Sequence, residues 1–178
     1  MKLNLAGLHQ YSVVDGPGIR TVVFTQGCPH NCSGCHNPHT HNPAEGQCVE
    51  ISEVAAQILA ETNLHGVTFS GGEPFLQARA LASLAALLKA RSPLLHLTVY
   101  SGYTYEQLSQ QAKKDVGTAM LLAASDLLID GPYLEKQRDL FLLYRGSGNQ
   151  RIIDVRASIQ AGMLVLSELH YRGVQKHA

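Results

Sequence analysis

Net charge is missing from this sequence: 14 lysine and arginine residues balance 14 aspartate and glutamate residues. Electrostatic capture of nucleic acid or of an anionic membrane needs a basic excess, so neither partner is expected. Long apolar runs are missing as well. The longest apolar-rich stretch, Ala80–Leu88, is far short of the roughly 20 residues that cross a bilayer. Met1–Gln10 carries one lysine and no long apolar core leading to a small-residue cleavage site. A signal peptide is therefore not expected, and the cytoplasm is the expected compartment. There is no internal repeat and no low-complexity segment. The four cysteines are too few and too crowded, all within positions 28–48, for a secreted disulfide framework. In a reducing compartment such a cluster more often binds metal.

What is present describes a single domain over residues 1–178, with 45% hydrophobic and 16% charged residues, large enough to bury a core. Thr21–Thr25 (TVVFT) reads as a buried strand that runs into the cysteines. Ser52–Glu61 reads as a helix with Ser52 as N-cap and Val54 and Ile58 on one face. Gly66–Ser70 is a second strand and Gln77–Arg91 a second helix, its stripe formed by Leu81, Leu84 and Leu88. Leu95–Tyr100 is a third strand. Thr104–Gln107 has the spacing of a capping box and opens a third helix. Leu127–Asp130 and Arg151–Val155 complete the strands. Alternation of strand and helix predicts an α/β fold with a parallel sheet, either an open barrel or doubly wound. Cys28, Gly71–Glu73, Ser101 and Asp130 then all fall at strand ends, the edge where parallel α/β folds collect ligands.

The segment Gly27–Asn37 holds Cys28, Cys32 and Cys35 in C-x3-C-x2-C spacing. Thiolates favour iron–sulfur clusters, zinc and Cu(I). Electron-transfer 4Fe–4S clusters usually take four cysteines, so three leave one iron open to a substrate. The alternative is a structural zinc site completed by Cys48 or by one of His30, His36, His39 and His41. Zinc sites more often pair C-x2-C hairpins. Cys48 lies in a polar loop and reads as a free thiol. After the second strand comes Gly71-Gly72-Glu73-Pro74. Paired glycines let backbone approach a small zwitterion closely, and Glu73 offers a carboxylate to an ammonium group. Ser101 and Asp130 present a hydroxyl and a carboxylate at strand ends, suited to ribose, a carboxylate or a cation, or else to capping a turn.

The cysteine spacing resembles the signature of the radical S-adenosylmethionine (SAM) superfamily. Asp15-Gly16-Pro17-Gly18-Ile19-Arg20 resembles the D-G-P-G-x-R stretch of its glycyl-radical-enzyme activating enzymes, and Gly71–Pro74 is similar to the superfamily's G-G-E-P motif. The resemblance implies a partial (βα) barrel, an open parallel sheet with helices outside. It also implies a 4Fe–4S cluster on Cys28, Cys32 and Cys35, with SAM as second cofactor. Gly71, Gly72 and Glu73 would meet the methionyl amino group, and Gly34, Cys35 and His36 the adenine end. Some activases bind a monovalent cation through an Asp-Thr pair where this sequence has Tyr100-Ser101, which supplies no carboxylate.

Two branches are similar. Ile19–Phe24 and Cys35–Pro38 resemble the activators of pyruvate formate-lyase. Gly34, the short chain, Leu128–Tyr133 and Arg145–Gln150 resemble the activators of anaerobic ribonucleoside-triphosphate reductase, the favoured branch. The implied activity is hydrogen abstraction from the Cα of a glycine in a partner enzyme, with a flavodoxin-type electron donor. Asp15–Arg20 is a candidate contact surface for the partner, and Arg145 and Asn149 either join it or belong to an ordinary surface turn at Arg145–Gly148. The tail from Ala157 carries no motif.

Overall fold

The computed structural model describes residues 1–173. Strands β1 (Lys2–Ser12), β2 (Arg20–Thr25), β3 (Gln47–Glu50), β4 (Gly66–Gly71), β5 (His96–Tyr100), β6 (Leu127–Asp130) and β7 (Arg151–Asp154) form one sheet. Their order is β3-β1-β2-β4-β5-β6-β7. Helices α1 (Ile51–Leu59), α2 (Ala78–Arg91), α3 (Tyr105–Ala112), α4 (Val116–Ala124) and α5 (Val155–Ala161) connect and follow the strands. Among the described residues no helix is long and apolar enough to cross a membrane.

The parallel centre is as expected: β2, β4, β5 and β6 run side by side in one direction. The edges of the sheet depart from this pattern. β1 is antiparallel to both β2 and β3, and β7 is antiparallel to β6. A parallel return needs a crossover of a dozen or more residues, usually helical. Residues 131–150 contain only the short turn Glu135–Gln137, so the chain comes back the opposite way. The first helix also differs at its start: it begins at Ile51 behind Glu50, and Ser52 lies inside it rather than capping it. The capping box is present as read, with Thr104 Oγ1 accepting from the Gln107 N–H and Gln107 Oε1 from the Thr104 N–H.

Side chains alternate across a strand, and this sorts the two faces of the sheet. Val23, Val67, Phe69, Leu97, Val99 and Leu128 point to the helices and pack with Ile58, Leu81, Leu84, Leu88, Leu108 and Leu121 into the main core. Their neighbours Phe24, Ser70 and Tyr100 line the opposite face, where the cavity lies. A smaller cluster of Leu127, Ile129 and Ile152 closes one end of that face.

Arg20 anchors the glycine-rich loop to the sheet. Its guanidinium is wholly buried and donates to Thr68 Oγ1 (2.7 Å), to the Pro17 and Val67 carbonyls (2.7 Å each) and to the His96 carbonyl (2.9 Å). Burial lowers its pKa to about 10. Replacing Arg20 by Met keeps the stem and strands these acceptors. The urea midpoint should fall by the equivalent of about 2–4 kcal/mol, since each stranded buried acceptor costs roughly 1–3 kcal/mol.

Candidate active site

A cavity of about 420 Å³ opens at the carboxyl ends of the central strands, within the roughly 300–1,000 Å³ typical of small-molecule sites. Cys28, Cys32 and Cys35 line it together with Gly71, Gly72, Ser101 and His36. Three segments distant in sequence therefore meet at one opening, because each lies at the carboxyl end of a strand.

The cysteine loop is fixed at its start. The Gly27 and Cys28 amides donate to the Thr40 and His41 carbonyls (2.8 and 3.1 Å), which ties the loop to the turn Pro38–Thr40. The Cys35 amide donates to the Cys32 carbonyl (3.2 Å), folding the second half into a turn. Burial pushes the Cys28 thiol up, and the His30 and Asn31 amides partly oppose this by donating to its sulfur. Cys35 Sγ accepts from the Asn37 amide at 3.4 Å. These amides are aimed where thiolate charge develops, so the donor set fits a cluster held by three sulfurs. Cys48 is exposed on β3 and does not line the cavity. Among the described residues no three His, Cys, Asp or Glu side chains are gathered as a ligand set for a single ion.

The Gly71-Gly72 pair needs its glycines. Gly71 has φ +94°, and a Cβ there would lie 2.8 Å from backbone atoms of Phe24 and Thr25. A Cβ on Gly72 would lie 2.3 Å from the Gly27 carbonyl oxygen. The Gly72 amide donates to the Thr25 carbonyl and the Glu73 amide to the Gly27 carbonyl, both at 2.8 Å. The turn is thereby pressed against the residue that precedes Cys28.

Three expected site residues do not line the cavity. Glu73 has no exposed surface and does not line the cavity; its carboxylate is enclosed by donors. Asp130 is 1% exposed, accepts from the Tyr105 amide at 2.7 Å and pairs with Arg151, so its carboxylate closes the start of α3. Gly34 is exposed and faces Glu135, which accepts from Ser33 Oγ at 2.9 Å. Ser101 does line the cavity, but its hydroxyl donates to both Glu73 oxygens (3.0 and 3.1 Å). His36 reaches the cavity and its ring sits 5.0 Å from that of Tyr133.

Sequence reasoning missed the cavity's far wall. Tyr133, Leu142, Tyr144 and Gly146 form part of it, and Tyr144 adopts a left-handed φ of +56°. The Tyr100 hydroxyl donates to the Tyr144 carbonyl at 2.8 Å, and burial holds that hydroxyl protonated far above its usual range. The segment Arg145–Gln150 closes on itself rather than reaching outward. Gln150 Oε1 accepts from the Gly146 and Ser147 amides, Arg145 donates to the His170 carbonyl, and Asn149 donates to the Pro132 carbonyl. Arg145 is 8% exposed and lines the cavity, while Asn149 does not line it.

The family of 4Fe-4S single cluster domains matches residues 14–153. The anaerobic ribonucleoside-triphosphate reductase-activating protein of Enterobacteria phage T4 is 33% identical over 154 residues, 84% of this chain and 93% of that protein. The protein of the same name from Vibrio cholerae is 36% identical over 155 residues, 81% of this chain and 95% of that protein. The Escherichia coli K12 protein of that name is 29% identical over 158 residues, 83% and 98% respectively.

Proposed function

Because the chain belongs to the anaerobic ribonucleoside-triphosphate reductase-activating proteins, we propose that it makes a glycyl radical on that reductase by reductively cleaving SAM in the cavity beside Cys28, Cys32 and Cys35. The observation that carries this reading is the meeting of three thiols and a paired-glycine turn in one cavity. A 4Fe–4S cluster held by Cys28, Cys32 and Cys35 would supply the electron for the reductive cleavage of SAM.

The chain's own residues prepare that event. Cys28, Cys32 and Cys35 hold the cluster. The Gly71-Gly72 backbone forms the floor that a methionyl group approaches, and His36 with Tyr133 gives an aromatic wall for adenine. Leu142, Tyr144 and Gly146 line the same cavity. A flavodoxin-type protein is the proposed electron donor and the cytoplasm the proposed compartment. The pyruvate formate-lyase branch is the weaker reading beside three relatives that carry the reductase activator's name.

Electron paramagnetic resonance tests the proposal. The reduced protein, mixed with SAM and the reductase, should give a glycyl doublet on the reductase. SAM cleavage without any doublet would contradict it.

Asp15 lines the cavity next to exposed Val14, at the mouth through which a protein loop must enter. Asp15→Ala keeps the backbone carbonyl that accepts from Thr68 Oγ1. Radical yield on the reductase should drop about 10-fold, on the order of 1.4 kcal/mol, with uncoupled SAM cleavage retained. An equal fall in both would remove Asp15 from the docking role.

A further inference from the structure

Glu73 sits where a carboxylate is expected to receive the ammonium of SAM, yet it has no surface to offer. One oxygen, Oε1, accepts from the Phe75 amide (2.9 Å) and Ser101 Oγ (3.0 Å). The other, Oε2, accepts from the Gly102 amide (2.9 Å), Ser101 Oγ (3.1 Å) and His30 Nε2 (2.7 Å). A carboxylate has about four lone-pair directions, and these donors use them. A further donor has neither room nor access.

The fourth donor gives the arrangement its meaning. His30 is the middle residue between Cys28 and Cys32, and its side chain is 16% exposed. Its ring packs edge-on against Tyr103, centroids 4.5 Å apart. It passes over Gly102, where a Cβ would lie 2.3 Å from the ring; any other residue there would push the ring away. The next residue, Asn31, holds a left-handed φ of +45°. Such a conformation in a non-glycine residue persists where surrounding contacts fix it.

Resting on the function proposed above, we infer that His30 and Glu73 form a latch that shapes the cysteine loop for cluster uptake before iron arrives, and that Glu73 is a positioning residue rather than an acceptor for SAM. The latch joins the midpoint of the Cys28–Cys32 span to the glycine turn through Phe75 and to the end of β5 through Ser101 and Gly102. It sets the spacing between the thiols and the Gly71-Gly72 floor. Its effect falls on building and keeping the cluster, and the affinity of the loaded site for SAM is left to backbone.

Outer-shell partners of metal ligands typically change metal affinity by roughly 10–100-fold. His30→Phe keeps a ring against Tyr103 and removes the donor. After anaerobic reconstitution it should lose iron to a chelator about 10–100-fold faster than the parent protein, while the loaded fraction binds SAM within about 3-fold of the parent. His30→Gln restores an N–H donor and should recover most of the retention. Retention equal to the parent in His30→Phe would overturn the latch, and so would a collapse of SAM affinity with the cluster intact. Hydrogen exchange of the Gly102 amide in the cluster-free parent needs no variant. The latch predicts a protected amide there, and free exchange would overturn it. That readout stands apart from the proposed function, which fails instead if the parent protein takes up no cluster at all.

Discussion

Replacing Cys32 with alanine should abolish radical formation on the reductase and leave the fold standing. Cys32 is half-buried on the cavity wall and contributes no side chain to the main core, so the cluster-free variant should unfold within about 0.5 kcal/mol of the cluster-free parent. On the proposed function the cluster needs three thiols and two would not hold it, and no other cysteine lines the cavity. Radical yield should fall by at least ~10³-fold, the scale expected when a reaction loses its catalytic group rather than a contact. Cys48→Ser is the matched control. That thiol is exposed on β3, and its replacement should change neither iron content nor yield. A strong loss in Cys48→Ser would mean that a fourth sulfur closes the cluster, and the open-iron chemistry would go with it.

Gly72→Ala should do comparable damage by a different route. The added Cβ would meet the Gly27 carbonyl oxygen at 2.3 Å and the Thr25 carbonyl oxygen at 3.1 Å, and both are backbone atoms that cannot swing aside. The turn must shift by about 1 Å, a displacement that can cost on the order of 10²-fold in a positioned reaction. Isothermal titration with SAM should show a loss of about that size, and turnover should follow it. Gly7→Ala is the contrast. Nothing lies within 4 Å of the Cβ it would add, so SAM affinity should be unchanged. Normal SAM affinity in Gly72→Ala would remove the paired glycines from the binding floor.

The parts of this arrangement that were legible in the sequence are the local ones. Cysteine spacing marks a soft-metal loop, β-branched runs mark the central strands, and Thr104 with Gln107 marks a helix start, because each depends on residues close together in the chain. Paired glycines mark a close backbone approach for the same reason. Direction across the sheet is different. Whether β7 runs with or against β6 is decided by what lies between them, and the helix-poor excursion through Gly131–Gln150 settles it. β1 is absent from the sequence reading: its alternation is short, with Leu3 and Leu5 buried against Lys2 and Asn4. The short helix α4, Val-Gly-Thr-Ala-Met-Leu-Leu-Ala-Ala, is apolar nearly all round and so gives little periodic signal.

Carboxylates were harder still. Position placed Glu73 and Asp130 on the ligand edge correctly, but position does not say where a side chain turns. Arg151 is distant in sequence and takes Asp130, while Ser101, Gly102 and His30 take Glu73. Both carboxylates are engaged by donors from other segments of the chain. The same crossing of segments explains why His30 reads in sequence as one more histidine among several near the cysteines, and in space as the tie that holds them.

The proposed function requires SAM to bind at a cluster held by only three sulfurs. Electron paramagnetic resonance of the anaerobically reconstituted, reduced protein, recorded before and after SAM is added, addresses it directly. The account predicts a 4Fe–4S signal that changes when SAM arrives and that is lost in Cys32→Ala. A cluster signal indifferent to SAM, or a colourless protein carrying zinc without sulfide, would contradict it.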